Sequence, residues 1–351
     1  MVRRFAPVLA VLAMVGAAFL AARAEAAGAP VPKGAVTPAP PAAASAPPAA
    51  PTQPAAGPIR MLPKGRRMST YTLRARYEIG TKNVTFEAPP AYQDSFAFWT
   101  GRMKGNKRME IFEFQTITQD AGPNGLIPFR RTLPRYNLEM ERGGQPFAPY
   151  GPLIRDVTSL AWEGTMDAAG AIKDLRPVTT STNPEIAEIA LPQMEFVFPV
   201  LAAPRDIPAG GGFTDIVTVP FPSRLNIQGL ESVQLQITRD FKLIQVRGDH
   251  AIFEQTVSYA LSPKTPPEAP GTTCVVGGGG RGEATFDVRR GVFKSSSVRS
   301  VLTVDIEAPL RPLPGIEQPE GPPGTAKTRL ELDILVSGDQ TVARVWGEEE
   351  D

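Results

Sequence analysis

Nitrogen and sulphur ligands are nearly missing from this sequence. One histidine, His250, and one cysteine, Cys274, occur in 351 residues. Within one chain that pair excludes the Cys/His clusters of structural zinc and a three-histidine catalytic site, and a lone thiol closes no intrachain disulfide. A Ser-His-Asp triad would have to use His250, yet no G-x-S-x-G elbow occurs and no serine stands three residues before a lysine. Excess charge is lacking too. The 37 Lys+Arg against 36 Asp+Glu leave a formal +1, so the totals carry no footprint for nucleic acid or an anionic membrane face.

Long apolar runs are confined to the start. MVRRFAPVLAVLAMVGAAFLAARAEAAGA has a basic opening (Arg3, Arg4), an apolar stretch from Ala6 to Ala22 and small-x-small cleavage sites after Ala24 and Ala26. These are the parts of a secretory signal, expected over 1–26, and they predict export to the periplasm or beyond. With no cysteine at the cleavage site, no lipid can be attached there, and contact with the membrane would come only through an uncleaved signal. Residues 27–68, as in TPAPPAAASAPPAAPTQPAAGP, have too little apolar bulk to fold and favour extended polyproline conformations, so they predict a disordered, semi-stiff tether. Its end carries Arg60, Lys64, Arg66 and Arg67, expected in solvent.

What is abundant is alternation. In Tyr71-Thr-Leu73-Arg-Ala75-Arg-Tyr77-Glu-Ile79 every odd position is apolar and every even one polar, the period of a strand with one wet face. The pattern recurs at Tyr136–Met140, Val233–Ile237, Phe253–Tyr259, Leu302–Ile306 and Leu330–Ile334. Alternation this regular belongs to antiparallel sheets. Gly248-Asp249 and Asp167-Ala168-Ala169-Gly170 supply hairpin turns. One segment reads as a helix: Thr182-Asn183-Pro184-Glu185 caps a run with Ile186, Ile189 and Ala190 on one face, kinked by Pro192 and Pro199, over about 184–198.

The expected fold class is therefore mainly β (α+β): curved antiparallel sheets with one short kinked helix near the middle. The connector Ala203–Gly212 divides an N-terminal β-unit, 69–204, from a C-terminal one, 205–345, ahead of an acidic tail at 346–351. Each half ends in a hairpin with an aspartate at the bend, Asp167 and Asp287. A duplicated β-unit and a chance recurrence of Asp and Gly at turns account for this equally well.

CVVGGGGRG, from Cys274 to Gly282, matches G-x-G-x-x-G and has Asp305 downstream. A dinucleotide fingerprint needs a helix whose N-terminus meets the pyrophosphate. The segment next in the chain, Glu283–Gly291, is short and rich in turn and β-branched residues, so the glycines predict a bulge, a bend or a close backbone approach. Alanine at Gly277 or Gly279 is expected to harm folding. No nucleotide or nucleic acid is expected. Carboxylates are plentiful, at Glu110 and Glu113, Asp305 and Glu307, and Glu331 and Asp333; the last two pairs have the spacing of neighbours on one wet strand face, and His250 is expected at an exposed turn. No residue is assigned as catalytic, cofactor-binding or metal-ligating, and no cofactor is implied.

The order of motifs resembles a family of uncharacterised exported bacterial proteins that share a domain of unknown function. The motifs are YTLRARY, the W-x-G-x-M-D-x-x-G hairpin of Trp162 to Gly170, P-x-G-G-G-F at Pro208 to Phe213, and G-x-G-E-A-T-F-D. Curved antiparallel sheets with a tucked helix are similar in architecture to periplasmic lipoprotein carriers and other lipid-binding half-barrels, which implies by association a non-enzymatic envelope protein holding an apolar ligand, lipid or lipidated chain, in a concave sheet. The alternative is a scaffold binding envelope proteins through strand edges and loops. A glycan hydrolase working through carboxylates alone would require two of them to converge in a cleft.

Overall fold

The computed structural model describes residues 57–62, 67–90, 103–146, 158, 160–178, 197–199, 201, 203–220, 233–263, 271–309 and 324–344. They form strands β1 (Ile59–Met61), β2 (Ser69–Glu87), β3 (Lys107–Thr118), β4 (Ile127–Arg142), β5 (Gln145–Pro146), β6 (Ala161–Met166), β7 (Ile172–Pro177), β8 (Arg205–Ile207), β9 (Gly212–Pro220), β10 (Gln234–Arg247), β11 (His250–Leu261), β12 (Thr273–Asp287), β13 (Val292–Pro309) and β14 (Thr325–Arg344). Twelve lie in one sheet of order β7-β6-β4-β3-β2-β14-β13-β12-β11-β10-β9, with β5 as a spur on β4; β1 and β8 pair separately. Every pairing is antiparallel. Neighbours in the sheet are close in the chain except at one seam, where β14 lies along β2 from Lys327↔Glu87 to Arg344↔Ser69.

The alternation in the sequence decides which face turns inward. In β2, Leu73, Ala75, Tyr77 and Ile79 are buried, while Arg74 and Arg76 between them are exposed. The outer face carries ion pairs between adjacent strands, such as Arg74–Glu113 at 3.0 Å, Lys327–Glu307 at 3.6 Å and Arg329–Asp305 at 3.7 Å. The inner face curls onto itself. Phe112, Phe114, Leu133 and Trp162, from the β3–β6 flank, share one cluster with Phe241, Leu243, Phe253, Phe286 and Phe293 from β10–β13, and Val197 and Phe198 pack into it. A second, aliphatic cluster, including Ile79, Leu235, Ile237, Val257, Leu302 and Leu332, fills the other end.

Turn chemistry sets the hairpins. Gly248 (φ 55°) is the first central residue of the two-residue turn between Arg247 and His250, as a type II′ turn requires. Asp167 accepts the N–H of Ala169 at 2.9 Å and of Ala171 at 3.0 Å; Asp287 accepts that of Arg290 at 2.7 Å. In β4 a bulge opposite Phe114 places both Leu133 and Pro134 against one residue of β3, so the buried parity passes from odd (Leu133) to even (Tyr136).

Two expectations need correction. The described residues are strand almost throughout and no helical element occurs among them, so the α+β class gives way to all-β. Of the expected helix at about 184–198, residues 184–196 lie outside the described residues, and Val197 and Phe198 are core. The physical reason is the unbroken period-two pattern, which commits nearly every other apolar side chain to one sheet face and leaves the described core to be closed by the sheet itself. The two expected β-units lie in one sheet: strands of 69–204 occupy one flank and those of 205–345 the other, joined by β2 and β14. In addition, Ile59–Met61, within the expected tether, pair with Ile207–Arg205, and Met61 is fully buried.

Phe241 is buried and stacked on Phe213 at 4.7 Å between centroids. Phe241→Ala is expected to lower stability by about 3–5 kcal/mol. Val275→Ala, at a side chain 62% exposed, stays within about 0.5 kcal/mol. Urea unfolding of the two variants checks the contrast.

Candidate functional site

The glycine run lies within a strand. From Thr273 to Asp287 the chain is β12, paired with β11 up to Ser258↔Gly279 and with β13 along its whole length. No helix comes after Gly282, so the geometry of a dinucleotide fingerprint is not formed. The inward parity of β12 runs through Gly278, Gly280, Gly282 and Ala284, which leaves a bare strip of backbone on the inner face. Alternate strands of a sheet are about 9.6 Å apart, and side chains normally stand between them. Here side chains of β11 and β13 meet above the strip: the Tyr259 and Ser300 hydroxyl oxygens are 2.7 Å apart, and the Ser296 hydroxyl donates to Gln255 Oε1 at 3.0 Å.

A partly open cleft lies where the two hydrophobic clusters meet, lined by side chains of β11 and β13, the strands on either side of β12. Val257 and Val298 flank it, with Ile237 and Arg239 of β10, Val217 of β9, Val336 of β14 and Val197 completing the walls. It holds about 30 Å³, room for roughly two waters. A Cβ on Gly280 would stand 2.0 Å from the Arg299 carbonyl oxygen, and one on Gly282 would stand 1.9 Å from that of Ser297. Close backbone approach therefore holds these positions to glycine, as expected. Gly277 departs from that expectation: a Cβ there meets nothing within 4 Å.

Charges on the inward parity are the part that sequence reasoning missed. Arg239, 4% exposed, sits between Ile237 and Phe241, and its Nε donates to Asp215 Oδ2 of β9 at 2.8 Å, with Nη2 on the same oxygen. Arg108 and Glu110 of β3 lie on the parity of Phe112 and Phe114 and form an ion pair under the sheet. Glu110 faces Tyr77 across β2. Burial raises the Glu110 carboxyl above the ordinary glutamate range against the opposing pull of Arg108. Burial, and then the Glu110 charge, raise the Tyr77 phenol, which Arg239 pulls the other way. The available signal was a charged residue in step with apolar neighbours.

The other candidates scatter. Glu113 turns outward to Arg74, and Asp305, Glu307, Glu331 and Asp333 lie on the wet parity. Glu110 and Glu113 therefore do not converge. His250 sits beside the turn with Nε2 3.3 Å from Lys294 Nζ. Burial, and then Asp305, push the Cys274 thiol up to about 11, away from thiolate chemistry at neutral pH. Among the described residues no three His, Cys, Asp or Glu side chains gather as a metal site.

No family model and no curated protein matches the chain. Solved structures give likenesses to outer-membrane channels. Pseudomonas aeruginosa OccK1 (OpdK) is 8% identical over 78% of this chain and 99% of that one, with a TM-score of 0.14. The outer membrane channel from Pseudomonas putida F1 is 8% identical over 78% and 97%, with a TM-score of 0.15. Scores this low establish no common fold. Polarity differs as well: a membrane barrel turns an apolar band outward, whereas this sheet turns its charges outward and its apolar parity in.

Gly282→Ala forces backbone apart and is expected to destabilise by about 1–3 kcal/mol, while Gly277→Ala changes stability by no more than about 0.5 kcal/mol, as thermal and urea unfolding will show. Glu110 binds its proton more tightly in the folded chain than at its ordinary value of 4.5. Its contribution is therefore complete below that value and is lost as pH rises through the raised one. Unfolding of wild type and Glu110→Gln between about pH 4 and pH 8 should show their stability difference moving in favour of the variant as pH rises.

Proposed function

We propose that this chain is an exported, non-enzymatic envelope protein that binds an apolar ligand, a lipid or a lipidated chain, on the inner face of its curved sheet. The observation that supports this is the small cleft with valine and isoleucine walls, placed where the two hydrophobic clusters meet. Export rests on the leader-like opening of the sequence. Each methylene withdrawn from water contributes about 0.8 kcal/mol, so a short acyl segment suffices for useful affinity. The cleft is too small for such a chain as it stands, so loading requires the two clusters to part along it.

The mature chain, from Ala27 onward, is titrated with a dansyl-labelled undecanoyl probe and also analysed by native mass spectrometry. Saturable probe binding and co-purified lipid are expected. Val298→Phe fills the cleft and lowers probe affinity about tenfold while the protein remains folded by circular dichroism. A folded wild-type chain that binds no acyl probe overturns the reading.

A scaffold role is the second reading. It rests on β9, the last strand of the sheet path among the described residues, where Ile216 is 58% exposed; such an edge accepts an added strand. Ile216→Lys would weaken protein capture under this reading and leave probe binding unchanged.

A further inference from the structure

Going beyond the apolar-ligand reading, we propose that β9 pairs with β9 of a second copy of this chain, antiparallel about a two-fold axis at Ile216, so that two sheets become one. Two strands end the sheet path among the described residues, β7 and β9, and they differ in kind. β7 is six residues long and carries Lys173, Asp174 and Arg176, with Pro177 at its end, the charges and proline that blunt an edge. β9 is nine residues long and carries one formal charge, Asp215. An inward charge can also guard an edge, but this one is answered by Arg239 of the neighbouring β10. The outward positions Thr214, Ile216 and Thr218 are uncharged and exposed, Ile216 at 58%.

The hydrogen-bond phase of β9 fits such a partner. Its register on β10 runs through Gly212↔Lys242, and one step further the Leu243 N–H donates to the Gly211 carbonyl at 2.8 Å. Bonded and non-bonded pairs alternate along an antiparallel ladder, so the odd positions of β9 bond to β10 and the even ones aim N–H and C=O at the open side. A two-fold at Ile216 then makes a bonded pair of Ile216 and Ile216 of the partner subunit, with Thr214 opposite Thr218 of the partner subunit. The isoleucines cover one another, and Thr–Thr is a favourable cross-strand pair. A two-fold at Asp215 would instead set two carboxylates directly opposite each other, which is unfavourable. The contact at Ile216 is isologous and closes at two subunits. One strand from each side makes a small interface, for which a dissociation constant on the order of micromolar is expected.

Sedimentation velocity of the mature chain should show monomer giving way to dimer between about 1 and 100 μM, with or without an acyl probe, since the pairing needs no ligand. Ile216→Lys sets two ammonium groups against each other and should weaken the dimer about tenfold or more, while the monomer stays folded because the side chain is exposed. Single cysteines read the register, against a wild type whose Cys274 is buried. Ile216→Cys should give an interchain disulfide on mild oxidation, because directly opposed residues lie about 5.5 Å apart. Thr218→Cys should not, because its own counterpart is displaced along the ladder by about 14 Å. A folded chain that stays monomeric at about 100 μM, a dimer that survives Ile216→Lys, or cross-linking of Thr218→Cys as fast as that of Ile216→Cys overturns the self-pairing. A monomer whose β9 captures a different protein leaves the scaffold reading standing and this one refuted, whereas a dimer that binds no acyl probe refutes the apolar reading alone.

Discussion

The seam between β2 and β14 is the constraint on which the rest depends. Each other contact in the sheet joins strands close in sequence, and a meander of hairpins can form piecemeal. The seam joins residues more than two hundred positions apart, so it must overcome a large loop-closure entropy before any of its hydrogen bonds form. Once made, it turns two edge-exposed meanders into one sheet broad enough to curl, and the aromatic cluster can then draw on both flanks at once. Without it Phe112 and Phe293 would have no common core.

Curling creates a packing problem on the inner face, because side chains from every strand converge there. β12 solves it by subtraction. Its inward positions carry no side chain through Gly278, Gly280 and Gly282, and Tyr259 and Ser300, and likewise Gln255 and Ser296, close over the gap with hydrogen bonds. The same subtraction leaves the small cleft beneath Val197. Two arginine-centred ion pairs lie on the inner face, one of them placing Arg239 in the wall of this cleft, so the interior is divided by a polar zone into an aromatic end and an aliphatic end.

Much of this was legible locally. The period of two in Tyr71–Ile79 and Leu330–Ile334, and the turn residues at Gly248 and Asp167, fix strands and hairpins through neighbours in the chain alone. Three features were not legible, each for a physical reason. The parity change between Leu133 and Tyr136 depends on a bulge defined by the partner strand. The burial of Arg239 depends on a counter-charge on another strand, Asp215, and that of Glu110 on Arg108 of its own strand turning inward with it. The unity of the sheet depends on a pairing between its first and last long strands that no local pattern encodes. The glycines were read correctly as backbone contacts, yet Gly277 shows that a motif does not bind all its members equally.

Because Ser69 and Arg344 are partners across one ladder rung, the start of the first long strand and the end of the last lie side by side in the middle of the sheet. A head-to-tail linkage there, with new termini opened at the Gly248-Asp249 turn, would give a circular permutant with the same strand neighbours. In that rearranged polypeptide the seam becomes an ordinary hairpin, and the slow long-range search moves to the β10–β11 pair instead.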